Sequence, residues 1–332
     1  MKNVLGLVML GLLQFGCAEA LEPEDTGLAQ KTPVGGSGVA STFSEGEDID
    51  PTRMVPVAPI RPADAPLVES YRDYAAFTYK NRVGTEVIGQ SLLSYDGNGV
   101  WTRYCGMSQA ANGPDWATCS AWDKGVQVSD WGLKRIAPLT GISSYVVGAK
   151  DGQWLIQTAI GNNGRSQMGR SCPIGDHAPL YSQCSDWEKY AIEINKLDLG
   201  LESVRDELSY SYFDENGDAW LWQTYVSSEG NYYVDRHCND NAGFPSDSAN
   251  CEIGRGNVSS NTFGFGTLSG HGGYSYTSNS GKNVFVSTVI DASGKRAAKR
   301  ACEITSRGID EGSCESWQSF SIENVRGKAW EL

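Results

Sequence analysis

The stretch Trp154 to Cys172, WLIQTAIGNNGRSQMGRSC, carries the argument for the fold. Trp154 to Ile160 is rich in β-branched and aromatic residues, as strands are. Asn163-Gly164 follows, a hairpin signal because both central residues of a type I′ turn need positive φ. A second strand then leads to Arg170, two residues before Cys172. The same order returns three more times. Gly97, Gly164, Gly230 and Gly294 each stand eight residues before a cysteine, preceded by Asp96, Asn163, Glu229 and Ser293. Strand-like runs lie upstream, at Gln90 to Tyr95, Trp154 to Ile160, Trp220 to Val226 and Val284 to Ile290. A further glycine precedes each run (Gly84, Gly152, Gly217, Gly281), and aromatics alternate before three of these, as in Phe77 and Tyr79, Tyr210 and Tyr212, Tyr274 and Tyr276.

Eight of the nine cysteines share this repeat. They form couples 14, 12, 13 and 12 residues apart, and the first members of successive couples are 67, 66 and 64 residues apart. Eight cysteines allow 105 pairings, but the repeat favours the local set: Cys105 with Cys119, Cys172 with Cys184, Cys238 with Cys251, and Cys302 with Cys314. Each loop of this size contributes up to roughly 3 kcal/mol in the chain-entropy model. With no Cys-x-x-Cys and only three His, zinc ligation is the weaker use of these residues, and no cofactor is expected.

Each unit therefore reads as strand, turn, strand, turn, strand ending at the first cysteine, a disulfide-closed loop, and a fourth strand from the second cysteine. Such a unit matches a propeller blade. The expectation is an all-β, four-repeat propeller over residues 67–332, with repeats at about 67–140, 141–204, 205–270 and 271–332. Another closed or stacked β-repeat arrangement is the alternative. A β-trefoil needs three shorter repeats, and independent domains of this size are marginal.

Residues 1–20 read as a signal peptide: Lys2 precedes an apolar run, Val4 to Leu13, too short to span a bilayer. Leu13-Gln14-Phe15-Gly16-Cys17 resembles a bacterial lipobox, which implies lipidation of Cys17. Ala18-Glu19-Ala20 offers the other processing route, cleavage before Leu21. Residues 21–66 hold eight acidic residues against Lys31, Arg53 and Arg61, a net −5, with few aromatics. That composition reads as a disordered acidic linker. The expected location is exported: a surface or outer-membrane lipoprotein, or a secreted protein, touching a membrane only through the anchor. The whole chain has 27 basic and 40 acidic residues, a net charge of −13, which argues against a nucleic-acid partner.

Arg103, Arg170, Arg236 and Arg300 each precede a first cysteine by two, and Trp122, Trp187 and Trp317 follow three of the second cysteines by three, with Gly254 in the third copy. On regular strands these would project from opposite blade faces. Two roles compete. In one, each Arg stacks on a Trp or reaches a carbonyl at a blade junction. In the other, Arg103 with Trp122, Arg170 with Trp187 and Arg300 with Trp317 form ligand pockets, an indole under a sugar ring and a guanidinium on its hydroxyls, with avidity from repetition. Gln90, Gln157, Gln223 and Ser287 follow the same repeat.

No catalytic constellation is evident. His177 and His271 read as loop residues, and His237 abuts Cys238. Gly264 to Gly270 misses the dinucleotide fingerprint, and Asp214 to Asp218 lacks the Gly and Glu of a calcium loop. The leading expectation is an exported, non-enzymatic, lectin-like module whose partner is a glycan or cell-surface polymer. The alternatives are a polysaccharide-cleaving enzyme with a site unique to one copy, for which Asp235, His237 and Asp240 are the candidates, and a structural surface-interaction protein.

Overall fold

The computed structural model describes residues 70–321, apart from the internal segments 109–112, 124–125, 150–151, 188–190, 198, 214–218, 240–250, 258–263 and 307. The leader with Cys17, the acidic segment, Asp240 and Asp214 to Asp218 lie outside the described residues.

Each repeat is an antiparallel sheet. The first contains β1 (Tyr71–Lys80), β2 (Glu86–Ser94), β3 (Gly99–Ser108), β4 (Gly113–Pro114) and β5 (Val126–Gln127). The second contains β6 (Leu139–Ala149), β7 (Gly152–Gly161), β8 (Ser166–Pro173) and β9 (Ile192–Glu193). β10 (Val204–Phe213), β11 (Ala219–Ser227), β12 (Tyr232–Asn239) and β13 (Cys251–Asn257) form the third. The fourth holds β14 (Leu268–Thr277), β15 (Asn283–Asp291), β16 (Arg296–Thr305), β17 (Gly308–Asp310) and β18 (Gln318–Ser321). Within each sheet the strands pair in chain order, apart from β5 on β3 and β18 on β16. The first strands, β1, β6, β10 and β14, neighbour one another in a ring, so the sheets are the blades of a four-bladed β-propeller.

A blade sandwiched between two others must be apolar on both faces. β2 shows this: alternation sends Ile88 and Leu92 toward blade 4, where they meet Tyr274, Val286 and Ile290. The other face sends Leu93 toward Ile142, Ala159 and Met168 of blade 2. Equivalent clusters join blades 2 and 3 through Ile160, Val204 and Tyr225, and blades 3 and 4 through Val226, Leu268 and Val289.

The repeated turn glycine also joins blades. Gly97, Gly164, Gly230 and Gly294 have φ of +74°, +64°, +73° and +69°. Each closes a four-residue turn, as in Gly97 N–H to Ser94 O at 2.9 Å, so it occupies the last turn position rather than a central one of a type I′ turn. Its carbonyl accepts the first N–H of the next inner strand: Leu139 N to Gly97 O and Val204 N to Gly164 O at 2.8 Å, Leu268 N to Gly230 O at 3.1 Å. Tyr71 N to Gly294 O, 3.1 Å, closes the ring. A Cβ on these glycines would lie 2.2–2.4 Å from a carbonyl oxygen of the neighbouring blade.

All four disulfides have the local pairing. The fourth strand departs from expectation. Among the described residues, only in blade 3 does the second cysteine open a full outer strand, with Cys251 directly opposite Cys238. In the others a single 3-10 turn (Trp116–Thr118, Tyr181–Gln183, Glu311–Ser313) precedes it and irregular chain follows.

Candidate functional site

The repeated arginines lie directly across from Gln90, Gln157, Gln223 and Ser287 on the adjacent strands. Arg103 Nε donates to Gln90 Oε1 at 2.8 Å, Arg170 Nη2 to Gln157 Oε1 at 2.8 Å, and Arg236 Nη1 to Gln223 Oε1 at 2.8 Å. Arg300, opposite the shorter Ser287, pairs with Glu311 at 2.9 Å. Arg103, Arg170 and Arg300 lie 4.7, 4.4 and 4.8 Å from the rings of Trp122, Trp187 and Trp317. The expected projection from opposite faces does not hold. Chain after the second cysteine is irregular, so each Trp folds back over the Arg of its own blade. Arg103 also faces Trp116 at 5.5 Å, and Arg170 faces Trp131 at 5.4 Å. Burial pulls Arg103 and Arg170 down to about 10, high enough for both to stay charged at neutral pH.

In the third copy Gly254 lies within β13, opposite Asp235. The partner of the Arg236–Gln223 unit is there a buried carboxylate, since Gln223 Nε2 donates to Glu207 Oε1 at 2.8 Å. Thr158 and Gln167 donate to Glu207 Oε2 at 2.8 and 2.7 Å, and the Ser209 hydroxyl donates to Oε1. Asp235 and His237 share one face of β12. Asp235 accepts from Thr224 Oγ1 at 2.6 Å, while His237 Nε2 meets Tyr212 Oη at 2.6 Å and lies between Trp220 and Trp222. Burial lowers the His237 pKa. His271 is a β14 residue rather than a loop residue; its Nε2 is 2.8 Å from Ser287 Oγ, and burial pushes its pKa down to about 3.

A pocket of about 360 Å³ opens on the propeller axis, lined by two rings of four equivalent residues together with Asn163, Gly164 and Val204. That volume is within the ~300–1,000 Å³ typical of small-molecule sites. Every inner strand carries a β-bulge near its start, which leaves Arg72, Thr140, Arg205 and Ser269 out of the pairing register. A bulge re-aims a side chain, and all four line the pocket. The second ring comes from the turns, two residues before the repeated glycine: Tyr95, Asn162, Ser228 and Ala292. Tyr95 is 42% exposed, with the Arg72 guanidinium 5.6 Å from its ring centre.

One residue beyond the bulges, Asp73 and Asp206 alternate with Gly141 and Gly270. The glycines make room, since an added Cβ would lie 2.5 Å from Asp206 Oδ1 and 2.4 Å from Asp73 Oδ1. The two carboxyl groups are fully buried and act on each other, and Asp206 Oδ1 has no hydrogen-bond partner among the described residues. Asp73 also accepts from Tyr74 N at 2.7 Å and Ile142 N at 2.6 Å, and Asp206 accepts from His271 N. Desolvation raises both pKa values, and for Asp206 the Asp73 charge adds to it. Two adjacent buried carboxylates resist ionising together, so burial and the neighbouring charge both favour the protonated form of this pair.

Neither the axial arginines nor this pair was singled out in the sequence, although the signal is there. Aligned on the turn glycines, the copies read Arg72-Asp73, Thr140-Gly141, Arg205-Asp206 and Ser269-Gly270. The chain is thus a four-bladed propeller with a polar axial pocket. No family model and no curated protein matches it. It is similar in structure to an endo-arabinase from Bacteroides thetaiotaomicron, at 12% identity over 80% of this chain and 84% of that one, with a TM-score of 0.37. A fucose lectin from Kordia zhangzhouensis in complex with methyl-fucoside is 12% identical over 54% of this chain and 96% of that one, with a TM-score of 0.30. The fucose-specific lectin from Aleuria aurantia is 8% identical over 79% of this chain and 64% of that one, with a TM-score of 0.31.

Proposed function

We propose that the protein is an exported, non-enzymatic binding module that takes a carbohydrate in its axial pocket and so attaches to a glycan or cell-surface polymer. The observation that carries this reading is the pocket wall. Planar guanidinium and amide groups and hydroxyls converge there beside an exposed tyrosine ring, the combination that serves the hydroxyls and the apolar face of a sugar. Four disulfides fit an oxidising, extracytoplasmic setting. In this reading Cys17 lipidation or cleavage after Ala20 decides between display and release, and the Arg–Trp pairs hold blade junctions.

A glycan array probed with the purified protein tests the proposal. Binding is expected, with Asn162→Ala and Tyr95→Ala each weakening it about tenfold, equivalent to about 1.4 kcal/mol. Absence of binding at saturating protein overturns the carbohydrate reading. Release of shortened products from a bound glycan replaces the binder with an enzyme.

A further inference from the structure

We infer that the axial pocket selects an acidic ligand, a sugar bearing a carboxylate or sulfate ester, held by the Arg72 and Arg205 guanidinium groups from opposite blades. This rests on the carbohydrate reading and adds the charge of the ligand to it.

The argument begins with the four bulge positions. Two diagonal ones carry Arg72 and Arg205, and the other two carry the hydroxyls of Thr140 and Ser269. All four line one cavity. Among the described residues the arginines donate to main-chain carbonyls: Arg72 Nε to Tyr95 O at 2.8 Å and Nη1 to Leu139 O at 3.4 Å, Arg205 Nη1 to Leu268 O at 2.7 Å. Neither forms an ion pair among the described residues, in a chain of net charge −13. Among the described residues their remaining N–H groups have no hydrogen-bond partner.

Two carboxylates lie near enough to act on them, and both are already engaged. Asp96 accepts from Ser94 Oγ at 2.5 Å and Asn98 N at 3.1 Å within its own turn. Asp206 is buried against Asp73 and accepts from His271 N. Burial, and after it the like charge of Arg72, lowers the Arg205 pKa, with Asp206 opposing them more weakly. Like charges facing across a cavity are relieved by an anion between them. A guanidinium recognises oxyanions through its planar fork of donors. Carboxylates and sulfate esters share that chemistry, and the pocket volume suits one or two sugar units.

The test compares charge on an unchanged backbone. Oligogalacturonate, alginate oligomers and sulfated galactans are titrated calorimetrically into the full-length protein, each beside its methyl-esterified or desulfated counterpart. The charged member of at least one couple is expected to bind ten times more tightly or better, and which couple responds tells carboxylate from sulfate. The advantage should shrink as salt rises from about 0.01 to about 1 M, where the Debye length falls from roughly 30 to roughly 3 Å. Arg72→Gln and Arg205→Gln should abolish it, and Arg72→Lys should retain part. Equal binding of charged and neutral members overturns the inference and leaves the carbohydrate reading standing. Inorganic sulfate separates the two in the other direction: arginine-dependent stabilisation by sulfate with no sugar bound would remove the carbohydrate reading and keep the anion site. Neither sulfate nor any sugar binding overturns both. Because the charged and neutral couples are compared on the wild-type protein, the result stands even if a variant fails to fold.

Discussion

At Gly97 the absence of a Cβ serves two ends. The residue holds φ at +74°, and an added Cβ would lie 2.2 Å from Leu139 O of the next blade. The left-handed conformation alone costs about 1–2 kcal/mol for another residue, and the backbone clash adds to that. Gly97→Ala should therefore cost about 2 kcal/mol or more, a fall in Tm of roughly 4–8 °C for a domain of this size. Differential scanning calorimetry reads this directly. Arg103 makes a second case. Lysine in its place keeps the charge but loses the planar stack on Trp122 and the Nε bond to Gln90. Arg103→Lys should cost about 1–3 kcal/mol with ligand affinity unchanged. A loss of affinity at full stability would return the Arg–Trp pairs to the binding surface.

Among the elements, the outer strand separates blade 3 from the rest. β13 pairs with β12 over seven register positions, from Tyr232↔Asn257 to Cys238↔Cys251, whereas β4 meets β3 over two. The Cys238–Cys251 bridge thus reinforces a strand ladder, whereas Cys105–Cys119 closes a loop held by turn and side-chain bonds such as Asp115 N to Gly106 O and Gly106 N to Thr118 Oγ1, both at 2.8 Å. Replacing both Cys105 and Cys119 by Ala should approach the roughly 3 kcal/mol of the loop-entropy model, while the Cys238/Cys251 double variant costs less. Urea titrations of the two variants compare them. The inner strands carry the other element-level feature. A bulge at the same place in all four lets a quasi-symmetric frame present Arg, Thr, Arg and Ser to one cavity.

For the whole molecule, the buried pair of Asp73 and Asp206 links the axis to pH. Both pKa values are raised in the folded protein above an unfolded value near ~3.9. The folded state therefore binds more protons than the unfolded state above that value, and stability falls as pH rises through the raised folded pKa. Tm should drop between mildly acidic and mildly alkaline buffer. Asp206→Asn, which replaces one titrating carboxyl by a neutral amide, should flatten that slope and raise Tm at pH 8 by roughly 2–4 °C, about 1 kcal/mol. A slope unchanged in the variant assigns the pH response to other groups. What the amino-acid order determined by itself was most of what repeats: the three inner strands of each blade, the number of blades, and disulfide partners 12 to 14 residues apart. These follow from interactions within a hairpin, which four copies state four times. Tertiary structure alone decided how the copies meet. The Arg–Trp stacks depend on chain that leaves the strand after the second cysteine, so two-residue alternation gave the wrong face for Trp122, Trp187 and Trp317. Arg72 and Arg205 share a pocket because bulges break that alternation, and Asp73 reaches Asp206 because ring closure brings the first and third blades together at the axis.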